Sequence, residues 1–394
     1  MKGTARKLFA FVFMTILWSG CARETAYTVT VGKQNPVVKE VNFAVVGDIM
    51  VHDYQYNEAY HPHTGTYDFM HNFTDVKKYF EGYDFVVGNL ETAFGGGEPS
   101  SYPAFSTPDS FLDAVKDAGF NVLTTANNHC MDAGEKGLVR TLALLDEAGI
   151  AHTGTYRSRE ERDTLLIQRK NGISVAFVAA TYGTNGIPVP KDKDYMVNHL
   201  DDETFLADIQ KAQKEADLVV VLPHMGYEYE TYPREEWKAW ADRMFDAGAD
   251  LVLASHPHVL QPMEYRTLDH GEGEHDGFLI YSLGNFISSQ TTPPRNASVI
   301  LHITVKQVGG ASPTVSHVSF VPIWTQFRNS ANENHFMVRS VEKMLTLPEG
   351  QRYQVLRPKD YTRLQEIHRE TACFLLDRDI PLEEIQEEYL FPFS

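Results

Sequence analysis

Val41-Asn42-Phe43-Ala44-Val45-Val46-Gly47-Asp48, near the start of the globular sequence, sets the architecture of this chain. Its first six residues are mostly apolar, which predicts a strand that is buried on both faces. Gly47 lets the chain turn sharply off the strand, and Asp48 then projects at the strand's end. A polar group directly behind a buried strand is typical of α/β folds, whose ligands bind at the carboxyl ends of strands.

The same arrangement recurs along the chain. Further buried strands are predicted at 84–87, 121–125, 174–180, 218–222, 250–254 and 278–283. Helical patterns lie between several of them and end at Gly119, Gly149 and Gly248, because glycine readily closes a helix. Two later segments, 299–305 and 315–321, are predicted to be antiparallel edge strands. The predicted fold class is therefore a layered α/β fold.

Five polar clusters follow these strands. They are Asp48 with His52, Asn89 with Glu91, Asn127-Asn128-His129, His224, and His256 with His258. If each cluster sits on a loop at the carboxyl end of its strand, the side chains converge on one edge. Carboxylate, amide and imidazole groups without cysteine form the O/N donor set of a divalent metal centre. The sequence therefore predicts a metal site.

Each cluster taken alone also has an ordinary structural interpretation. An aspartate after glycine is more often a turn former or helix cap than a ligand, and a single histidine at a strand end usually pairs with a carbonyl. His256-Pro257-His258 is the sharpest local signal. His61-Pro62-His63 has the same spacing but follows no buried strand, so we expect an exposed loop there. The functional prediction depends on the clusters acting together.

Two further loops are predicted to line the same edge. Tyr182 and Asn185 follow the strand at 174–180, and Asn285 follows the strand at 278–283. Glycine and asparagine in these loops suit close approach to a ligand, although turn formation alone explains them too. Together with Asn89, they are the predicted substrate-binding residues.

The net charge of −18 and the lack of any Lys/Arg-rich stripe argue against nucleic acid as a partner. An acidic protein can still take an anionic substrate, because a bound metal supplies local positive charge.

The first residues predict export. A basic start precedes an apolar run, residues 8–18, that is too short to span a bilayer as a mature helix. Ser19-Gly20-Cys21 then resembles a bacterial lipobox, so Cys21 is the predicted lipidation site, with ordinary cleavage as the alternative. We expect a lipoprotein signal peptide at 1–20, a tether at 21–40, the main domain at 41–325 and a packed C-terminal helical extension at 326–394. The expected location is extracytoplasmic, anchored to a membrane of the bacterial cell envelope.

Taken in order, six motifs resemble the CapA family of bacterial poly-γ-glutamate capsule synthesis proteins, also called PgsA-like. They are Gly47-Asp48-Ile49-Met50-Val51-His52, Gly88-Asn89-Leu90-Glu91, Ala126-Asn127-Asn128-His129, His224-Met225-Gly226-Tyr227-Glu228-Tyr229, Ser255-His256-Pro257-His258 and Ser282-Leu283-Gly284-Asn285-Phe286. The resemblance covers residues 41 to 290.

The resemblance implies a variant of the calcineurin-like metallophosphoesterase fold, a layered β-sandwich flanked by helices. It implies one or two divalent ions, Mn, Zn, Fe or Mg, as cofactors. One ion would be held by Asp48, His52 and His258, and a second by Asn128, His224 and His256, with Glu91 or Asn89 near the bridging position. His129 would match the histidine that assists the leaving group.

The chain departs from the phosphoesterase pattern in four places. Three residues separate Asp48 from His52 where one is usual, and Glu91 replaces a bridging aspartate. Met225 replaces a tryptophan common in the CapA family, and Ser255 replaces the usual glycine. The longer Glu91 side chain changes the expected metal spacing or occupancy.

Two functions of different class follow. The first is a metal-dependent hydrolase in capsular polymer synthesis, export or anchoring, with His129 as general acid and Glu228 as base or orienting group. The alternative is a non-catalytic subunit that binds polymer or a partner. Expected partners are an anionic polymer or a small phosphorylated or γ-glutamyl substrate, the membrane through the lipid anchor, and capsule synthase subunits. A secreted nuclease or nucleotidase is a third class, but the chain lacks a basic or aromatic platform for nucleic acid.

Overall fold

Two β-sheets packed face to face form the centre of the protein, seen in a computed structural model that describes residues 36–201, 203–271 and 273–393. Residues Val37–Ser394 form one compact unit. Helices cover the outer faces of both sheets. The predicted layered β-sandwich flanked by helices is therefore confirmed.

The strands in chain order are β1 (Val38–Ile49), β2 (Tyr60–His61), β3 (Thr66–Tyr67), β4 (Phe85–Leu90), β5 (Val122–Thr124), β6 (Ala151–Thr153), β7 (Leu166–Lys170), β8 (Ile173–Thr181), β9 (Leu218–His224), β10 (Leu251–Leu253), β11 (Met263–Asp269), β12 (Glu274–Ile280), β13 (Asn285–Ile287), β14 (Ala297–Val308), β15 (Thr314–Arg328), β16 (Asn334–Ser340) and β17 (Tyr389–Leu390).

The α-helices are α1 (Asp53–Ala59), α2 (Ser110–Ala118), α3 (Gly134–Ala148), α4 (Arg159–Asp163), α5 (Thr204–Glu215), α6 (Glu235–Asp246), α7 (Val341–Leu345), α8 (Glu349–Val355) and α9 (Pro358–His368). Gly119 and Gly149 close α2 and α3 in the left-handed conformation, as their positions predicted. Among the described residues, no helix has the length and apolar character needed to cross a membrane.

The first sheet has the order β16-β15-β14-β1-β4-β5-β6, with β13 beside β1 and β17 beside β15. The second has the order β11-β12-β10-β9-β8-β7. Strands β1, β4, β5 and β6 are parallel, and so are β12, β10, β9 and β8. The carboxyl ends of each parallel set therefore lie along one edge of its sheet.

The apolar strand runs are explained by burial on both faces. Between the sheets, Phe85 stacks on Phe43 from the same sheet and meets Phe177 of the opposite sheet edge-on, with ring centroids 5.2 Å apart in each pair. The outer face of the first sheet packs on α2 and α3, and that of the second on α5 and α6. Strands without an exposed face need no alternation of polar and apolar residues.

The prediction that segments 299–305 and 315–321 are edge strands is wrong. They lie in β14 and β15, which pair antiparallel as expected, but β14 also pairs with β1 and β15 with β16. Strand β16 forms the edge instead. The alternating pattern was misleading because residues 297–303 are buried regardless of their polarity.

Helices α7 and α9 pack on Trp324 and Ala297 in a separate apolar cluster. The predicted domain boundaries stay predictions. The predicted signal peptide and Cys21 lie outside the described residues.

Gly47 provides a test of how closely the strands must approach. A Cβ atom at Gly47 would lie 1.9 Å from the carbonyl oxygen of Gly284, and the amide of Asp48 donates to that same oxygen at 2.9 Å. Because two backbones meet there, Gly47→Ala is expected to lower the free energy of unfolding by at least about 1 kcal/mol, as over-packing does in other cores. Chemical denaturation measures the change. Gly310→Ala is the matched control, because a Cβ there meets nothing within 4 Å; equal stability of the two variants would contradict the close approach.

Candidate metal centre

The predicted polar clusters come together, but from two sheets rather than from one. Asp48 and Asn89 are paired neighbours near the ends of β1 and β4, and Glu91 directly follows β4. His224 is the last residue of β9, opposite in the sandwich, and His256 and His258 lie in the loop after β10. The expectation that every cluster lies on a loop was wrong for Asp48, Asn89 and His224, which are still within their strands. The site is thus formed where the carboxyl ends of both sheets meet.

His258 links the first group of donors. Its Nδ1 lies 3.0 Å from Asp48 Oδ2 and 3.0 Å from Asn285 Oδ1, and its Nε2 lies 3.8 Å from Glu91 Oε1. Two oxygen acceptors at Nδ1 favour a proton on that atom. The lone pair is then on Nε2, directed at the side of the ring where Glu91 lies, an orientation typical of histidines that bind metals.

Glu91 also belongs to a second group. Its Oε1 lies 3.6 Å from His224 Nε2, and donor atoms of Glu91, His224 and His256 all lie within 4.8 Å of one another. Asn128 Oδ1 is 2.7 Å from the same His224 nitrogen. Glu91 is thus the carboxylate that both groups share, and its predicted bridging role stays a prediction.

Two buried atoms at the centre have no hydrogen-bond partner among the described residues. They are Glu91 Oε1 and His256 Nδ1. Leaving a buried polar atom unpaired costs about 1–3 kcal/mol, so native proteins rarely do so without reason. A divalent cation would satisfy both atoms, and the donor set of carboxylates, imidazoles and an amide oxygen suits such an ion. The residues present therefore fit the metal that the fold family implies.

The electrostatics of the histidines also suit cation binding. Burial, followed by the neighbouring imidazole of His258, lowers the pKa of His256 to about 3. Burial and the adjacent His256 ring hold the pKa of His224 well below its ordinary value. Both rings are therefore neutral at pH 7, so neither carries a positive charge that would repel a cation.

The pKa values of the two carboxylates shift in opposite directions. Burial favours the protonated form of Asp48, but hydrogen bonds from His258 and Asn89 outweigh it and lower its pKa. Burial and then the charge of Asp48 raise the pKa of Glu91 well above its ordinary value. Negative charge at Glu91 is thus unfavourable without a nearby cation.

The backbone at the histidine loop is strained. His256 has a φ of 108° and His258 a φ of 59°, in the left-handed region that non-glycine residues seldom adopt. Such residues cost about 1–3 kcal/mol each and are concentrated at functional sites. This strained loop carries both imidazoles of the centre.

His129 is oriented by a residue whose role the sequence did not reveal. Its Nδ1 lies 2.7 Å from Asp132 Oδ2, which also accepts a hydrogen bond from the Phe105 amide at 2.7 Å. Asn185 Nδ2 is 3.4 Å from His129 Nε2. The spacing of three residues between His129 and Asp132 was the available signal, but it resembles an ordinary turn.

His52 lies apart from the two groups. Its backbone caps α1, and its Nδ1 accepts a hydrogen bond from the Ser289 amide at 3.3 Å. Within the described part of the chain it joins no group of three potential ligands. Burial lowers its pKa to about 4, so it too is neutral. Its predicted role as a metal ligand stays a prediction.

The remaining predicted site residues differ in how deeply they are buried. Asn89 and Asn285 are buried and contact Asp48 and His258, and their predicted substrate-binding role stays a prediction. Tyr182 is half exposed, with its ring 4.5 Å from that of His256. Glu228 is exposed and shares a potential ligand group with His256 and His258. Tyr182 and Glu228 therefore form part of the mouth of the site.

Comparison with known proteins gives a family match. Residues 42–290 match the family described as bacterial capsule synthesis protein PGA_cap. The chain is 30% identical over 284 residues to the capsule biosynthesis protein CapA of Bacillus anthracis, covering 69% of this chain and 66% of that protein. It is 31% identical over 249 residues to the PGA biosynthesis protein CapA of Bacillus subtilis, covering 60% and 62%. The chain thus spans just under two thirds of the length of these relatives.

Among solved structures, a hypothetical protein from Thermus thermophilus is similar at 16% identity and a TM-score of 0.39, covering 70% of this chain and 99% of that one. The sulfate thiohydrolase SoxB of Thermus thermophilus is similar at 15% identity and a TM-score of 0.36, covering 75% and 44%. These likenesses are too loose to bear on function.

His258→Ala tests the centre. The change removes the imidazole that lies between Asp48 and Glu91, so we expect loss of bound divalent metal from the purified protein, measured by elemental analysis after dialysis against Mn²⁺ or Zn²⁺. His63→Ala is the matched control, because His63 ends an exposed His-Pro-His sequence of the same spacing. Metal content unchanged by His258→Ala would refute the assignment of this residue.

Proposed function

The chain belongs to the family of bacterial capsule synthesis proteins, as its six motifs predicted, and from this membership we propose that it acts in the synthesis, export or anchoring of a capsular polymer of the poly-γ-glutamate type. The names of its Bacillus relatives support this proposal. The match of residues 42–290 supports it further, because that segment includes every predicted metal-binding and catalytic residue.

We further propose that the protein is a divalent-metal-dependent hydrolase. The observation that carries this proposal is the unpartnered Oε1 of buried Glu91, which lies 3.6 and 3.8 Å from imidazoles of the opposite sheet in the described part of the chain. When bound, one or two ions would polarise a scissile phosphoryl or acyl group and lower the pKa of a water molecule. Asp48, Glu91, Asn128, His224, His256 and His258 would hold them.

His129 is the proposed proton donor to the leaving group. Asp132 accepts from Nδ1 and stabilises the imidazolium, so the transferable proton is at Nε2. The side-chain amide nitrogen of Asn185 lies 3.4 Å from Nε2. Glu228, at the mouth, is placed to accept a proton or to orient His256 and His258.

Substrate approaches from the mouth. The interior side has no room for a substrate. The cavity lined by Asn89, His224 and the core residue Leu253 measures about 10 Å³, which is the space of one water molecule. Tyr182 and Tyr229 lie on the outer side, where they are 42% and 40% exposed.

A positively charged side chain, that of Arg295, lies at this mouth. The Arg295 guanidinium lies 3.4 Å from the centroid of the Tyr229 ring, which is itself 6.0 Å from the His258 ring. In a chain of net charge −18, an arginine held by an aromatic ring beside the metal ligands favours a carboxylate- or phosphate-bearing substrate. An anionic polymer or a small γ-glutamyl or phosphorylated compound fits this chemistry.

The location is also proposed. The basic start, the short apolar run and the lipobox-like sequence at Cys21 support lipidation and an extracytoplasmic membrane anchor, with residues 21–40 as the tether. Labelling with a radioactive or alkyne-tagged fatty acid tests it, and Cys21→Ser should remove the label. Label that persists in Cys21→Ser would exclude this anchor.

The hydrolase proposal predicts separable effects on turnover and on metal content. The purified protein loaded with Mn²⁺ or Zn²⁺ is assayed on a phosphodiester and on γ-linked glutamate oligomers. His129→Gln is expected to lower kcat by about 10²–10⁴-fold, the usual contribution of a general acid, with metal content unchanged. Asp132→Asn should lower kcat as well and shift its pH profile, because it changes the partner of His129 Nδ1.

Tight metal binding without turnover of either substrate class would contradict the hydrolase. Binding of the γ-glutamate oligomers under those conditions would instead support the non-catalytic polymer-binding subunit. Disruption of the gene in its own host tests the capsule role separately, through the amount of cell-associated γ-linked polyglutamate.

A further inference from the structure

Glu58, His71 and His335 converge on the surface, away from the centre described above. They come from α1, from the short 3-10 helix Met70–Phe73 and from β16. Glu58 Oε1 lies 3.1 Å from His71 Nε2 and 3.7 Å from His335 Nδ1. The two imidazole rings are nearly parallel, with centroids 5.3 Å apart and an angle of 16° between them. Potential metal-ligand atoms from three separate elements thus lie within 4.8 Å of one another.

One oxygen of this group has no partner among the described residues. Glu58 Oε2 is a buried atom without a hydrogen bond, although the side chain as a whole is 14% exposed. A simple pair between Glu58 and His71 would satisfy Oε1 and leave Oε2 at an unfavourable cost. The side chains of His71 and His335 are 30% and 26% exposed, so a small ion can reach the group from solvent.

We infer that Glu58, His71 and His335 form a second, surface-accessible binding site for a divalent cation of the zinc class. One carboxylate and two imidazoles are a donor set that Zn²⁺ accepts, with water completing a tetrahedral shell. An ion there would join α1 to β16. It would therefore stabilise the sheet edge against the helix that begins directly after His52.

A comparable group elsewhere has a different explanation. Asp250 Oδ1 lies 2.9 Å from His275 Nε2, and Asp250 Oδ2 accepts from the Val219 amide at 2.7 Å. His270 Nε2 lies 3.2 Å from the carbonyl oxygen of Ala249. Both carboxylate oxygens are partnered, so this group is explained as a hydrogen-bond network between strands. It provides a matched control.

Zinc binding to the full chain tests the inferred site. Equilibrium dialysis followed by elemental analysis counts bound Zn²⁺ per chain. The double variant His71→Ala/His335→Ala is expected to bind one equivalent fewer than the wild type. His270→Ala, which makes the same substitution in the control group, should bind as many as the wild type. The primary centre is intact in all of these proteins, so the difference reports on the surface site alone.

Glu58→Gln is a second test that does not depend on correct folding of the double variant. The substitution keeps the shape of the side chain and removes its charge. We expect it to melt like the wild type without zinc but to lose part of the rise in Tm that zinc produces, because a ligand of the folded state stabilises that state. Equal zinc stoichiometry and equal zinc-induced shifts in the wild type and Glu58→Gln would overturn the inference. The result does not depend on hydrolysis, so it stands or falls apart from the proposed function.

Discussion

The candidate centre depends on one buried carboxylate, that of Glu91, at the place where the two sheets meet. Glu91 is fully buried, and its Oε1 lies near imidazoles of the opposite sheet without a hydrogen bond to any of them. Its pKa is raised by burial and by the charge of Asp48. An uncompensated buried carboxylate is among the most costly groups a protein can contain. A divalent cation bound by the surrounding imidazoles would remove that cost.

The sandwich supplies the rigidity that such a centre requires. Asp48 and Asn89 are neighbours in the first sheet, and the close backbone contact of Gly47 with Gly284 lies beside the pairing of β13, which begins at Asn285, with β1. Asn285 in turn holds the ring of His258. Both histidines of the loop after β10 have left-handed backbones, a strain that the packed sheets on either side sustain.

Exposure to solvent increases from the centre to the mouth. The shared carboxylate, its imidazoles and the side chains of His129 and Asp132 are buried, whereas Tyr182, Glu228 and Tyr229 are exposed. Electrostatic interactions are stronger in the dry part than they would be in water. In the proposed function, substrate recognition at the mouth, with Arg295 as its cation, would be separate from bond cleavage at the centre.

Local sequence patterns predicted a large part of the fold. Continuous apolar runs predicted the buried strands, and the helix predicted to end at Gly149 is α3, which Gly149 closes. Both signals are local, because burial on two faces and helix closure depend on residues near each other in the chain. Local patterns did not predict β16, because its sequence has no strong strand pattern. The polar residue types that end the strands, and their order along the chain, could also be read from the sequence. They specify the set of potential metal ligands and the family.

How those donors are shared became known only from the folded chain. Glu91 joins both ligand groups, His52 lies apart from them, and Asp132 orients His129. The sharing of Glu91 arises because two sheets stack at a particular register, which brings His224 and His258 to one carboxylate. Contacts between residues more than a hundred positions apart leave no trace in local periodicity.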